Sequence, residues 1–117
     1  MAAANGEGDM AGYSSANWSL YLRLIGLGVA AKDACSFIGV SQSAPYVKAS
    51  RDPVFKVALI DATQLGHALR VVSPDHFADE TGQPILDADF EPIPRNPPGR
   101  LFAWIKGQSN PLALLAS

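Results

Sequence analysis

The sequence predicts a mainly α fold: an N-terminal helix-turn-helix bundle, a long fourth helix, a short β-hairpin or extended acidic arm, and a C-terminal helix. Three observations predict it. Apolar residues recur at helical spacing in Trp18, Leu22 and Ile25, and again in Phe55, Leu59 and Ala62. Gly39-Val40-Ser41 interrupts two short segments in the way a helix-turn-helix corner does. Beyond Val71 the helical period gives way to alternating acids and apolar residues punctuated by proline.

Residues 1–16 are small and polar and read as a flexible arm, with acids where a signal peptide would carry positive charge. Asn17 is the expected N-cap of a first helix, which Gly26 and Gly28 end. A second helix is expected over roughly Ala30 to Ile38, with Ala34, Cys35 and Ile38 on its inner face. Gly39 supplies the positive φ of the corner and Val40 plugs the core behind it. Ser41 is expected to cap a third helix running to about Ser50. Pro45 then falls inside its first turn and predicts a distorted start. Asp52 as N-cap and Pro53 at the first helical position open a fourth helix to about Arg70. Residues 17–70 thus form the helix-turn-helix domain.

Residues 71–97 comprise an acidic hairpin or arm around a Thr81-Gly82 turn, then a stiff linker, "PRNPPG". Pro84 fits only an edge strand. Residues 98–117 supply a helix from Pro98 to Lys106 and an apolar tail. Leu101, Phe102, Trp104 and Ile105, with Leu112, Leu114 and Leu115, are expected to form an oligomer or partner interface. The alternative is that Phe102 and Ile105 cover the fourth helix of their own chain.

Composition narrows the function classes. The 117 residues are 48% hydrophobic, enough for one domain with a core, and carry a formal charge of −2. A protein that coats nucleic acid would be basic throughout. The distribution is uneven, however. Between Trp18 and Ile60, Arg23, Lys32, Lys48, Arg51 and Lys56 face only Asp33 and Asp52, whereas residues 71–91 carry six acids and no Lys or Arg. Cys35 is the only cysteine, so no intrachain disulfide forms, and no apolar run reaches membrane-spanning length. His67 and His76 lack metal-ligand spacing and no glycine-rich phosphate loop is present, so neither a metal nor a cofactor is expected.

In a working helix-turn-helix the start of the third helix meets base edges. Gln42, Ser43 and Tyr46 are the candidate base-reading residues, and Lys48, Arg51 and Arg23 the candidate phosphate contacts.

In this order the elements resemble a bacteriophage terminase small subunit of the helix-turn-helix kind, over about Trp18 to Leu112. The resemblance rests on "YLRLIGLGVAAKDACSFIGVSQSAPYVKASRDPVFKVALIDA", with its Ala-Cys second helix, Gly-Val-Ser corner, aromatic in helix three and Asp-Pro-x-Phe start of helix four. "RLFAWIKGQSNPLAL" stands where that family carries a basic C-terminal helix. The resemblance implies a non-enzymatic adaptor in the host cell cytoplasm. Such an adaptor binds double-stranded packaging-initiation DNA, forms a homo-oligomer and presents the DNA to the terminase large subunit. Rival readings are a helix-turn-helix transcription regulator, dimeric on a palindromic operator, and a virion assembly protein that uses the bundle for protein contacts.

Overall fold

The computed structural model describes residues 14–107; the expected arm up to residue 13 and the apolar tail beyond Gly107 lie outside them. The chain is mainly helical. Among the described residues the helices are α1 (Ser15–Gly26), α2 (Ala31–Ile38), α3 (Ala44–Arg51), α4 (Pro53–Val72) and α5 (Gly99–Lys106).

Helix α1 begins earlier than its sequence predicts. Ser14, not Asn17, is the N-cap, and its hydroxyl accepts a hydrogen bond from the Asn17 backbone N–H. Both residue types cap well, and the choice of Ser14 adds a turn that brings Trp18 fully into register. Trp18, Tyr21, Leu24 and Ile25 are buried, and Trp18 meets Tyr21 and Phe55 edge-on at 5.7 and 5.2 Å between ring centroids.

Helix α4 is the spine against which α1 and α3 pack. Its N-terminus is capped by Asp52, whose carboxylate accepts from the N–H groups of Val54 and Phe55. Where α1 ends, the backbones nearly touch: a Cβ built on Gly66 would lie 2.2 Å from the Ile25 carbonyl oxygen. Two arginines then close the helix ends. Arg70 donates to the Gly28 carbonyl, while Arg95 donates to the carbonyls of Leu27 and of Ser73, the C-cap of α4, each at 2.7 Å. Positive charge at a helix C-terminus is favourable, because the last carbonyls point there without intrahelical partners. Arg95 also lies 5.0 Å above the Phe77 ring, and burial, with Arg70 nearby, lowers its pKa from the ordinary arginine value.

The second corner departs from expectation. Gly39 adopts φ 84° and Val40 is buried behind it, but Ser41 does not cap α3. Helix α3 starts at Ala44 with Ser43 before it, so Pro45 stands in its first turn, where an N–H has no helical acceptor anyway. Pro45 is buried. The proline therefore sets a late helix start and distorts nothing.

The acidic segment forms neither a regular hairpin nor a loose arm. Three isolated bridges pair His76 with Pro94, Ala78 with Pro84 and Leu86 with Pro92. Each bridge contains a proline, which has no N–H to extend a ladder, so each pairing stops at one step. Between the bridges Phe77 N–H donates to Ile93, Ile93 N–H to Ile85 and Ile85 N–H to Phe77, at 2.9–3.0 Å. These three hydrogen bonds form a closed ring, and Phe77 and Ile93 drop from it into the core.

Two turns of one design project from this ring. In the first, Asp79 N–H donates to Gln83, Gly82 N–H donates back to Asp79, and the Asp79 carboxylate accepts from the N–H groups of Thr81 and Gln83. In the second, Asp87, Asp89, Phe90 and Glu91 repeat every bond. The fourth residue of each turn is left-handed: Gly82 at φ 88° and Phe90 at φ 62°. For an L residue that conformation costs roughly 1–2 kcal/mol, which glycine avoids.

Helix α5 closes the domain instead of standing apart from it. Leu101 and Ile105 are fully buried in the shared core, and Phe102 stacks on Phe37 of α2 at 4.5 Å. Leu101 and Ile105 are therefore corrected from an intermolecular surface to intrachain core. The core simply lacked a lid until α5 supplied one. Trp104 is half-buried, and Leu112, Leu114 and Leu115 fall outside the described residues.

Candidate nucleic-acid interface

Helix α3 has a well-defined outer face. Ser43, Tyr46, Val47 and Ser50 follow at the spacing of one helical stripe, and all four are exposed, Tyr46 at 69%. Gln42 and Ser43 precede the helix in the turn 39–43, also exposed. Gln42, Ser43 and Tyr46 thus come together at one end of a short convex helix. Val47 and Ser50 extend the same stripe, and the sequence reading missed them. Counting four and seven residues on from Ser43 identifies both, once the helix start is moved to Ala44.

The candidate phosphate contacts divide. Arg51 is exposed at the last turn of α3 and forms no ion pair among the described residues. Lys48 is turned inward. Its ammonium lies 3.5 Å from the Asp52 carboxylate, 5.3 Å from the Phe55 ring centroid and 5.7 Å from that of Trp18. The Asp52 carboxyl is held below its ordinary pKa first by the Phe55 N–H and then by Lys48, so the carboxylate remains charged around neutrality. Lys48 fastens α3 to α1 and α4.

Arg23 is elsewhere. It lines a cleft of about 660 Å³ bounded by Leu22, Asp61, Leu65, Asp79 and Trp104, whereas Tyr21 and Tyr46 line a separate cleft of about 250 Å³ beside His67 and Arg70. Residues two apart on a helix point about 200° apart, so Arg23 and Tyr21 look out on different sides of α1. Arg23 shares its cleft with Asp61, Asp79 and Glu80 and is not gathered with the α3 residues. Arg70, Arg95 and Arg100 are also engaged within the chain, the last at 3.4 Å from Asp87. The basic excess of the front half therefore overstates the charge available at the surface near α3. What remains exposed there is Arg51 and Lys56, with Lys32 on α2.

No reactive constellation accompanies this face. Cys35 is buried beneath it, and burial raises its thiol pKa despite a hydrogen bond with the Tyr21 hydroxyl. The Tyr21 hydroxyl is itself pushed well above the ordinary tyrosine range by the same burial. Among the described residues no three His, Cys, Asp or Glu side chains come together as metal ligands, and no helix is long and apolar enough to cross a membrane. The comparisons with protein-family models, curated proteins and solved structures find no match to this chain.

Proposed function

We propose that this chain is a non-enzymatic DNA-binding adaptor of viral genome packaging, a terminase small subunit. In this reading it docks the outer face of α3 on duplex DNA, self-associates, and presents the DNA to the large terminase motor. One observation supports it above the others. The stripe from Ser43 to Ser50, with Gln42 before it and Arg51 at its end, sets Ser43, Tyr46 and Ser50 beside Val47, is left uncovered by the other described residues, and follows a tight glycine corner. Gln42 can pair with an adenine edge and Tyr46 can contact a thymine methyl or a phosphate, while Arg51 neutralises backbone charge. With Lys48 turned inward, affinity rests on few phosphate contacts and is modest.

The test is fluorescence anisotropy of the full chain on duplex DNA over a range of salt. The expected log–log slope is roughly −0.9 per phosphate contact, hence shallow, about −2 to −3 for Arg51, Lys56 and Lys32. Arg51→Ala is expected to flatten the slope by about 1, and Gln42→Ala to weaken binding without changing it. Lys48→Ala is expected to lower stability and leave the slope alone. Binding that is undiminished in a folded Gln42→Ala/Tyr46→Ala/Arg51→Ala variant would remove α3 from the interface.

A further inference from the structure

The cleft beside Arg23 is walled by apolar side chains that the described residues leave partly uncovered. Leu22 of α1, Leu65 of α4, Ile85 and Trp104 of α5 line it and are only half-buried, and Leu86 is 41% exposed at its edge. They come from three helices and the acidic segment, so the fold gathers them into one concavity of about 660 Å³. Apolar surface gathered in a concavity marks a place where something docks.

The rim narrows what that is. Arg23 stands there among the carboxylates of Asp61, Asp79 and Glu80. That balance disfavours nucleic acid and acidic segments, residues 1–13 included, which carry Glu7 and Asp9 and no Lys or Arg. An uncharged apolar segment brings no like charge to the rim and leaves the rim's own charges in water. Residues 108–117 are such a segment. They carry no ionisable side chain and place Leu112, Leu114 and Leu115 within four residues.

The point where this segment starts favours its own chain over a second copy. Gly107 ends α5 about 5 Å along the helix axis beyond Trp104, so the segment leaves the fold beside a wall of the cleft. Pro111 disfavours helical backbone at Asn110, which breaks a straight continuation of α5 before the leucines. Leu112 and Leu115 are five and eight residues past Gly107. At full extension they reach about 16 and 26 Å from it, several times the distance back to Trp104. A tether this short holds the leucines at a local concentration on the order of millimolar, which a second copy at micromolar concentration does not match.

We propose that Leu112, Leu114 and Leu115 seat in the cleft of their own chain, against Leu22, Leu86 and Trp104, and complete the apolar cover that α5 begins. The proposal is independent of the functional reading above, since this cleft and the one Tyr46 lines lie on different sides of α1.

The test is thiol crosslinking of the full chain with a short bismaleimide, read by intact mass and peptide mapping. Leu86→Cys, on the cleft edge, is paired with Leu114→Cys, and as a control Ser36→Cys is paired with Leu114→Cys. Ser36 is exposed and adjoins Phe37, which stacks on Phe102 of α5, so it lies within the same reach but outside the cleft. Native Cys35 is buried and is expected to stay unmodified. The Leu86→Cys pair is expected to bridge within one chain, several times faster than the Ser36→Cys pair. Equal rates overturn a specific seat, and the absence of a bridge overturns docking altogether. A bridge between chains assigns the cleft to the tail of a second copy and overturns the own-chain seat. Acrylamide quenching gives a second readout without added cysteines. Of the two tryptophans Trp18 is buried, so a change reports Trp104. In Leu112→Ser/Leu114→Ser/Leu115→Ser, quenching is expected to rise and emission to shift to the red. Quenching equal to wild type overturns the proposal.

Discussion

Gly66 lies against Ile25 so closely that the smallest side chain would collide with backbone, its Cβ 2.2 Å from the Ile25 carbonyl oxygen and 3.2 Å from Gly28 Cα. Glycine inside a helix ordinarily weakens it by about 1 kcal/mol relative to alanine. Here the absence of a Cβ lets α1 and α4 approach. Gly66→Ala is therefore expected to destabilise, because separating the two helices costs typically 1–3 kcal/mol and exceeds the gain in propensity. Urea denaturation checks the sign, and a more stable variant would show that the helices part freely.

Pro45 is expected to stabilise α3. Its ring fixes φ at a position that requires that value, which limits the unfolded chain, and the ring itself is buried. Pro45→Ala should lower stability by about 1 kcal/mol, a few degrees in melting temperature for a domain of this size. A melting temperature above wild type would mean that the helix prefers to begin at Ser41 after all.

Arg95 joins the ends of α1 and α4 through two carbonyls and covers Phe77. Arg95→Met keeps the bulk over the ring but leaves the Leu27 and Ser73 carbonyls without these donors. The expected loss is about 2–4 kcal/mol, given the cost of each unsatisfied polar group. Arg95→Lys is expected to recover little, since a single ammonium cannot span both acceptors as the planar fork does. Equal stability of the lysine variant and wild type would refute the two-carbonyl role.

The first acidic turn carries a pH dependence. The Thr81 hydroxyl, followed by the Gln83 and Thr81 N–H groups, holds the Asp79 carboxyl below its ordinary pKa. A depressed carboxylate contributes stability that is fully present above the unfolded-state value, near pH 4, and is lost as the pH falls through the folded-state value. Thermal melts of wild type and Asp79→Asn should therefore differ at pH 6 and converge toward pH 3. A difference that grows on acidification would have the wrong sign for this turn.

The helices were legible because each stripe of apolar residues lies on one face. Trp18 to Ile25 and the Asp52-Pro53 start of α4 carry that pattern openly. The start of α3 was not legible, because Ser41 and Ser43 are both competent caps and only burial of Pro45 decides between them. The fate of the charges was equally hidden. Lys48 and Arg95 look like surface cations in sequence, and their partners are an aromatic pair and two helix ends brought near by the tertiary fold. The α3 face kept its three polar candidates together and lost Lys48 and Arg23 for that reason. Leu101 and Ile105 misled in the opposite direction. An apolar helix has the same sequence pattern whether it covers its own core or another chain.

The ring through Phe77, Ile93 and Ile85 has one more consequence. An open sheet ends in a row of unpaired N–H and C=O groups, which any extended segment can join, and that is how apolar strands template aggregation. The cycle uses the N–H groups of Phe77, Ile85 and Ile93 internally, and the prolines at 84, 92 and 94 have no N–H to offer an added segment. An alternating segment that would otherwise recruit neighbours by backbone pairing thereby offers them fewer donors.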